Sequence, residues 1–167
     1  MKQIYLFCLL LLSVFISFFG EATSAMKHQN SLLVEHAYIR ATIPGTVHSS
    51  SYMEIENKGD NAVTLLSAYS DISERIEIHQ HSMVDGMMRM RKIDSIVIEP
   101  QSRVKLQPSG LHLMFFDVKK PLLSQQKVEI TLNFSNNMSV TMLMPVYSPT
   151  EEQAAQKTVL TTHEHHH

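Results

Sequence analysis

Four residues of this chain, His79, Met90, His112 and Met114, supply two imidazoles and two thioethers. Thioether sulfur and neutral imidazole together favour Cu(I), whereas Mg²⁺, Ca²⁺ and Mn²⁺ prefer oxygen ligands. The sequence contains 11 methionines but a single cysteine, Cys8, near its amino-terminal end. The four residues therefore indicate a site for a soft metal ion that uses no thiolate.

The spacing of these residues is informative when it is placed on strands. His112 and Met114 stand two residues apart, so on a strand both side chains project from the same face. His79 alternates with isoleucines and falls on the polar side of its own strand. His79 and Met90 flank Asp85-Gly86, a dipeptide typical of a hairpin turn. Neighbouring strands or loops are thus expected to bring the four side chains together.

The elements that must position these residues are short runs rich in β-branched and aromatic side chains. The predicted strands are residues 34–40, 51–57, 63–68, 73–81, 87–93, 96–99, 103–107, 111–116, 128–134 and 138–145. Turn residues such as Pro44-Gly45 and Asn136-Asn137 separate them. The pattern favours an all-β antiparallel sandwich or barrel, with no long helix in the domain.

The amino-terminal segment is typical of a secretion signal. Residues 4–19 are apolar and lead into small and polar residues, so we expect a signal peptide over residues 1–25, cleaved near Ala22 or Ala25. The apolar run is shorter than the roughly 20 residues that a membrane-spanning helix needs, which argues against a membrane anchor. Cys8 would leave with the leader, so the mature protein is expected to work outside the cytoplasm without disulfides.

Charge and motifs argue against several classes of function. The net charge is −2 with histidine neutral, and acidic and basic residues are interspersed. A binder of nucleic acid or of an anionic membrane would carry clustered positive charge. The sequence also lacks Gly-x-Ser-x-Gly, His-Glu-x-x-His and phosphate-loop motifs. A blue-copper electron carrier would need a cysteine ligand. We therefore expect no catalysis, no nucleic acid partner and no membrane insertion after cleavage.

The spacing His-x10-Met-x21-His-x-Met, carried by the four residues, resembles the signature of the periplasmic copper chaperones of the PCuAC family. Flanking segments resemble the same family at residues 40–45, 52–59, 74–79, 90–91 and 108–114. The resemblance covers residues 34–146 and implies a periplasmic, cupredoxin-like Greek-key β-sandwich, expected over residues 26–148. It implies that His79, Met90, His112 and Met114 bind one Cu(I). It also implies delivery to the CuA centre of a haem-copper oxidase or to a thiol-bearing assembly factor.

The chemistry of these ligands fits such a carrier. Cu(I) has a filled d shell and tolerates a loose set of two nitrogens and two sulfurs. All four ligands are neutral, so we expect the charge of the ion to stay uncompensated and to favour release to a thiolate-rich or anionic acceptor. Protonation of His79 or His112 competes with the metal, so affinity should fall as the pH drops through the histidine range.

Other soft donors lie close by in the sequence. Met83, Met87 and Met88 precede Met90 and are candidates for auxiliary or relay ligands, although a regular strand must turn Met87 or Met88 away from the face of Met90. His81 shares a face with His79 but is not part of the family pattern. We expect it to be a solvated surface residue.

The end of the chain is rich in histidine. Residues 149–167 are expected to form a flexible tail that ends with His163, His165, His166 and His167. This tract is either native or the remnant of a purification tag. If it is native, its nitrogen ligands suit Cu(II), Ni(II) or Zn(II) better than Cu(I).

Two other functions remain open at this point. A metal-free extracytoplasmic interaction module would use its methionines for packing and would not be stabilised by Cu(I). A copper oxygenase with an amino-terminal histidine ligand would need cleavage after Lys27 to expose His28, which signal peptidase disfavours.

Overall fold

The computed structural model describes residues 31–84 and 86–163, with side chains for residues 31–83 and 86–157. The chain divides into two units, Met1–Ser31 and Leu32–His167, and the described residues belong almost entirely to the second. The expected signal peptide and His165, His166 and His167 lie outside the described residues. Within the described part, no helix is long and apolar enough to cross a membrane.

Alternating apolar and polar residues form ten strands in the described part of the chain, at the positions that the sequence predicted. The strands are β1 Leu32–Arg40, β2 Ser49–Asn57, β3 Val63–Tyr69, β4 Arg75–Val84, β5 Met87–Ile93, β6 Ile96–Ile98, β7 Ser102–Leu106, β8 Leu111–Phe116, β9 Lys127–Phe134 and β10 Ser139–Tyr147. The ends differ from the predicted ones by at most three residues. The prediction of an all-β, cupredoxin-like sandwich is confirmed.

Hydrogen-bonded neighbours follow the order β5-β4-β8-β7-β2-β1-β10-β9-β3-β6. A short parallel pairing of β1 with β10, at Ile39–Val146 and Arg40–Tyr147, joins a first layer that ends at β1 to a second layer that begins at β10. Most other pairings are antiparallel, and β8 also pairs with β2. The edge of the first layer is β5.

The inward faces of both layers meet in one hydrophobic core. Leu113 and Phe115 of β8 and Ile130 and Leu132 of β9 are fully buried there. Burial of each such side chain contributes about 1.5–3 kcal/mol. Since side chains alternate along a strand, the residues of β8 that flank Leu113 and Phe115 lie on the outward face of the first layer.

The hairpin predicted around Asp85-Gly86 is formed by β4 and β5. Val84 and Met87 are the last paired residues, which leaves a two-residue connection. Gly86 has φ +77°, a value that glycine adopts without strain and that such tight turns require. The turn sets the register that decides which methionines of β5 share a face with β4.

The sequence predicted a flexible tail from residue 149, but the structure has helix α1 at Pro149–His163. A capping box starts the helix: Ser148 N–H donates to Glu151 Oε2 over 2.7 Å, and Glu151 N–H donates to Ser148 Oγ over 3.3 Å. Pro149 occupies the first helical position, where its missing N–H costs nothing. The segment was assigned to a tail because of its polar composition, although the order Ser-Pro-Thr-Glu is itself a signal for the start of a helix.

Helix α1 is attached to the outward face of the first layer by Glu152, which is buried. Arg40 binds its carboxylate with both Nε and a terminal nitrogen, at 2.9 and 2.6 Å. Tyr38 donates its hydroxyl hydrogen to the same carboxylate over 3.0 Å. A bidentate pair of this kind is geometrically specific, so the helix has a defined seat on the sandwich.

Candidate metal centre

Two of the four predicted ligands face each other across a strand pair. His79 of β4 lies directly opposite His112 of β8, and Glu77 lies opposite Met114. All four of these side chains project from the outward face, because Ile78 and its alternating neighbours point into the core. The imidazole rings of His79 and His112 lie 5.8 Å apart between centroids, and both residues are buried. His79, His112 and Met114 therefore project from one patch of the outward face.

Met90 reaches this patch from the edge strand. On β5 it pairs with His81 of β4, which places it on the same outward face. Its Sδ lies 3.3 Å from His112 Nε2, although β4 separates the two strands. Two donors that share one tetrahedral ion, at bonds of about 2.0–2.3 Å, lie roughly 3.5 Å apart. The sulfur and the nitrogen are thus already spaced as two ligands of one ion.

His112 has one ring nitrogen committed and one free for a metal. Its Nδ1 lies 3.1 Å from the carbonyl oxygen of Gly110 and donates to it in the tautomer that this contact favours. The lone pair then sits on Nε2, the atom that faces Met90. Burial lowers the pKa of His112, and the two neighbouring histidines add to this effect. A neutral imidazole is the form that binds metal.

His79 shows the same division of roles. Its Nε2 lies 2.8 Å from Glu77 Oε2, while its Nδ1 is buried without a hydrogen-bond partner among the described residues. An unpaired buried nitrogen costs free energy unless it finds a partner. Metal-binding histidines commonly donate their second ring N–H to a carboxylate, which fixes the ring and raises its basicity. The arrangement of His79 and Glu77 fits that pattern.

Glu77 changes the electrostatics expected from the sequence. Its hydrogen bond with His79, together with Lys92 at 3.5 Å and Arg75 at 3.7 Å, holds the pKa of Glu77 below its ordinary value. Glu77 is therefore a carboxylate at neutral pH. It lies across the imidazole ring of His79 from Nδ1, the candidate ligand atom. A cation bound here would have its charge partly balanced, whereas the sequence had suggested an uncompensated site.

Met114 is half-buried and is positioned by register. It stands two residues after His112 on the same face of β8, and on its other side it pairs with Ser50 of β2. Aromatic rings border the two histidines: Phe116 lies 5.8 Å from His79 and Tyr52 lies 6.3 Å from His112, between ring centroids. Aromatic rings therefore flank the two imidazoles on the sides away from Met90.

The sequence predicted that His81 is a solvated surface residue, and this prediction was wrong. The imidazole is half-buried and stacks on His112, with ring centroids 5.0 Å apart and planes 25° apart. Its Nδ1 is buried and has no hydrogen-bond partner in the described part of the chain. The face that His81 shares with His79 was the available signal, but the family spacing passes over this position.

The three methionines proposed as auxiliary ligands all lie on the β4–β5 hairpin. Met83 and Met88 pair directly and share the outward face with Met90, whereas Met87 lies on the opposite face. All three are more than half exposed. Among the described residues, no group of three or more His, Cys, Asp and Glu side chains is arranged to hold a metal.

Solved structures and a sequenced relative are similar to this chain. The copper-bound PCuAC domain from PmoF2 is 26% identical with a TM-score of 0.62, covering 71% of this chain and 94% of that one. The apo PCuAC domain from PmoF1 is 25% identical with a TM-score of 0.61, covering 71% and 95%. A protein of Leifsonia xyli subsp. xyli described as "Putative lipoprotein Lxx21020" is 26% identical over 128 residues, 76% of each chain.

These likenesses confirm the resemblance to PCuAC domains that the residue spacing indicated. The family described as "Putative lipoprotein LpqE-like" matches residues 32–146, which include all ten described strands apart from the last residue of β10, and all four predicted ligands. The chain belongs to this LpqE-like family.

Proposed function

We propose that this protein is an extracytoplasmic copper chaperone that binds one Cu(I) through His79, Met90, His112 and Met114. The observation that carries the proposal is the 3.3 Å separation of His112 Nε2 and Met90 Sδ, two soft donors from strands that are not neighbours. Nothing in the packing of the core requires this contact, because both atoms lie on the outward face. The unpaired Nδ1 of His79 adds a third donor on the same patch.

The exposure of Met90 suggests how the ion leaves. Met90 is 47% exposed on the edge strand β5, whereas His79 and His112 are buried. An incoming thiolate reaches the ion from the side of Met90 and replaces its thioether, while the two imidazoles still hold the ion. The exchange changes ligands but not the oxidation state of copper. By resemblance, the recipient is the CuA centre of a haem-copper oxidase or a thiol-bearing assembly factor.

The PmoF2 domain, which is similar to this chain over most of its length, is described as copper-bound. That likeness supports copper as the cargo, and the soft donor set supports Cu(I) as its oxidation state. The proposal includes no catalytic step, and it assigns the protein to the periplasm after cleavage of the signal peptide. A Cu(II) site in the terminal histidines stays a separate prediction.

Anaerobic Cu(I) competition titrations with a chromophoric chelator test the proposal. Met90→Leu and Met114→Leu should each weaken Cu(I) binding by roughly tenfold or more. Leucine preserves volume and apolarity, so the free energy of unfolding should fall by less than about 1.5 kcal/mol. Met87→Leu is the matched control, because Met87 lies on the same hairpin with similar exposure but on the other face.

The terminal histidines should be replaced by asparagine in a parallel variant, so that their contribution is measured separately. Truncation after Glu152 is unsuitable, because it removes Gln156, whose amide reaches Tyr38. Equal Cu(I) affinity in the wild type, Met90→Leu and Met114→Leu would reject the proposed site. A complete absence of Cu(I) binding would leave the metal-free interaction module as the better account.

A further inference from the structure

The tip of the β4–β5 hairpin carries thioethers that the core does not use. Met83 and Met88 lie directly opposite each other and are both more than half exposed. Exposed apolar side chains that lie next to one another on a small hairpin gain little from packing and commonly mark a binding surface. Side chains directly opposite in an antiparallel pair have Cβ atoms about 4.5–5.5 Å apart, so both sulfurs are able to reach one ion.

A nitrogen donor lies beside this pair. His81 stands two residues before Met83 on the same face of β4, and its Nδ1 is buried without a hydrogen-bond partner among the described residues. The ring of His81 stacks on that of His112. The pair Met83–Met88 and the pair His81–Met90 therefore form two consecutive rows on one face. The second row leads directly into the candidate metal centre.

The charged residues nearest to these rows do not oppose a cation. Arg89 and Arg91 of β5 alternate with Met88 and Met90, so they project from the opposite face of the hairpin. Lys92, which shares the outward face, is drawn to Glu77 at 3.5 Å. Among the described residues from His81 to Met90, no lysine or arginine therefore lies on the face of the hairpin that carries the thioether pair.

We propose that His81, Met83 and Met88 form a second site for Cu(I), separate from the four ligands proposed above. Two thioethers and one imidazole suit a soft monovalent ion. The two sites lie one row apart on the strands, roughly 7 Å, which is the two-residue repeat of β structure. The outer site is an entry station that goes beyond the single-ion carrier: an ion bound there passes inward when its bonds to Met83, Met88 and His81 break. Bonds to Met90 and His112 then form, with no change of oxidation state.

The test uses the full chain with ¹³C-labelled methionine methyl groups and Ag(I), a redox-inert probe for Cu(I) sites. During the first equivalent the methyl resonances of Met90 and Met114 should shift. During the second equivalent those of Met83 and Met88 should shift, while that of Met87 stays in place. The Met83→Leu/Met88→Leu double variant should bind one equivalent fewer, and Met87→Leu should keep both.

The outcomes separate this proposal from the single-site function. Resonances of Met83 and Met88 that stay fixed beyond two equivalents overturn the second site, even when Met90 and Met114 respond. Shifts of Met83 and Met88 together with Met87 show binding to any exposed thioether and also overturn it. Shifts of Met83 and Met88 within the first equivalent show one enlarged site and overturn a separate second site. Fixed resonances of Met90 and Met114 contradict the proposed carrier site instead.

Discussion

Replacing Glu77 with glutamine should weaken Cu(I) binding although Glu77 is not proposed as a ligand. Its carboxylate accepts a hydrogen bond from His79 Nε2 over 2.8 Å, and its side chain is only 17% exposed. Glutamine keeps an acceptor oxygen at the same place, so the orientation of the imidazole is preserved. The substitution removes the negative charge alone, which isolates the electrostatic contribution that the register of β4 and β8 creates.

The size of the effect follows from distance. An ion on Nδ1 of His79 lies beyond one imidazole ring and one hydrogen bond from the carboxylate, roughly 7 Å away if the metal–nitrogen bond is about 2.1 Å. The attraction is about 0.6 kcal/mol at the dielectric constant of water and about 2.4 kcal/mol at an effective value of 20. Lys92 and Arg75 also pair with Glu77 and reduce its influence. We expect a loss of about 1–1.4 kcal/mol, a five- to tenfold weaker affinity.

The assay is anaerobic Cu(I) competition at low and high salt, because screening should shrink a charge effect. Glu74→Gln is the matched control: its side chain is 87% exposed, and it pairs with Lys119 outside the candidate centre. Thermal unfolding of the copper-free variants checks that neither substitution disturbs the fold. The electrostatic role of Glu77 is wrong if Glu77→Gln binds Cu(I) as tightly as the wild type at low salt, or if Glu74→Gln loses as much Cu(I) affinity as Glu77→Gln.

Two further predictions concern stability. Burial lowers the pKa of His112 below its ordinary value of about 6.5, so the native state binds fewer protons there than the unfolded state. The free energy of unfolding of the copper-free protein should therefore fall as the pH drops below about 6.5 and through the lowered pKa of His112 in the folded state. Denaturant titrations between about pH 8 and pH 5 measure this free energy. A free energy of unfolding that does not change over this range would contradict the prediction. Glu152→Ala should leave Arg40 and Tyr38 without the carboxylate that they share. Because Arg40 is partly exposed, the free energy of unfolding should fall by about 2–3 kcal/mol, less than for a fully buried pair. Calorimetry should show this as a fall in Tm of roughly 5–10 °C. Because helix α1 lies outside the proposed ligand set, Cu(I) affinity should not change in that variant.

The strand framework was predictable because its signals are local. Two-residue alternation and turn residues depend only on neighbours in sequence, so all ten strands and the Asp85-Gly86 hairpin were found. The pairing of His79 with His112 joins residues far apart in the chain and depends on the sheet order, which alternation does not encode. For that contact the family spacing, and not the periodicity, supplied the information.

The features that sequence reasoning missed depend on longer-range contacts or on weak local signals. Helix α1 begins at a capping box, but its position on the sandwich depends on the ion pair between Glu152 and Arg40, two residues that only the folded sandwich brings together. His81 was assigned to solvent because its stacking partner comes from another strand. The influence of Glu77 on the site required the ring orientation of His79, which no sequence pattern reveals.

X-ray absorption spectroscopy of the protein loaded anaerobically with one equivalent of Cu(I) identifies the atoms that bind the copper ion. We expect copper bound by both nitrogen and sulfur, with bond lengths of about 2.0 and 2.3 Å. The sulfur contribution should fall by half in each of Met90→Leu and Met114→Leu. In a Met83→Leu/Met88→Leu background, which removes the thioethers of the second proposed site, it should disappear when Met90 and Met114 are both replaced. A copper ion surrounded by nitrogen and oxygen alone in the wild type would contradict the proposed site.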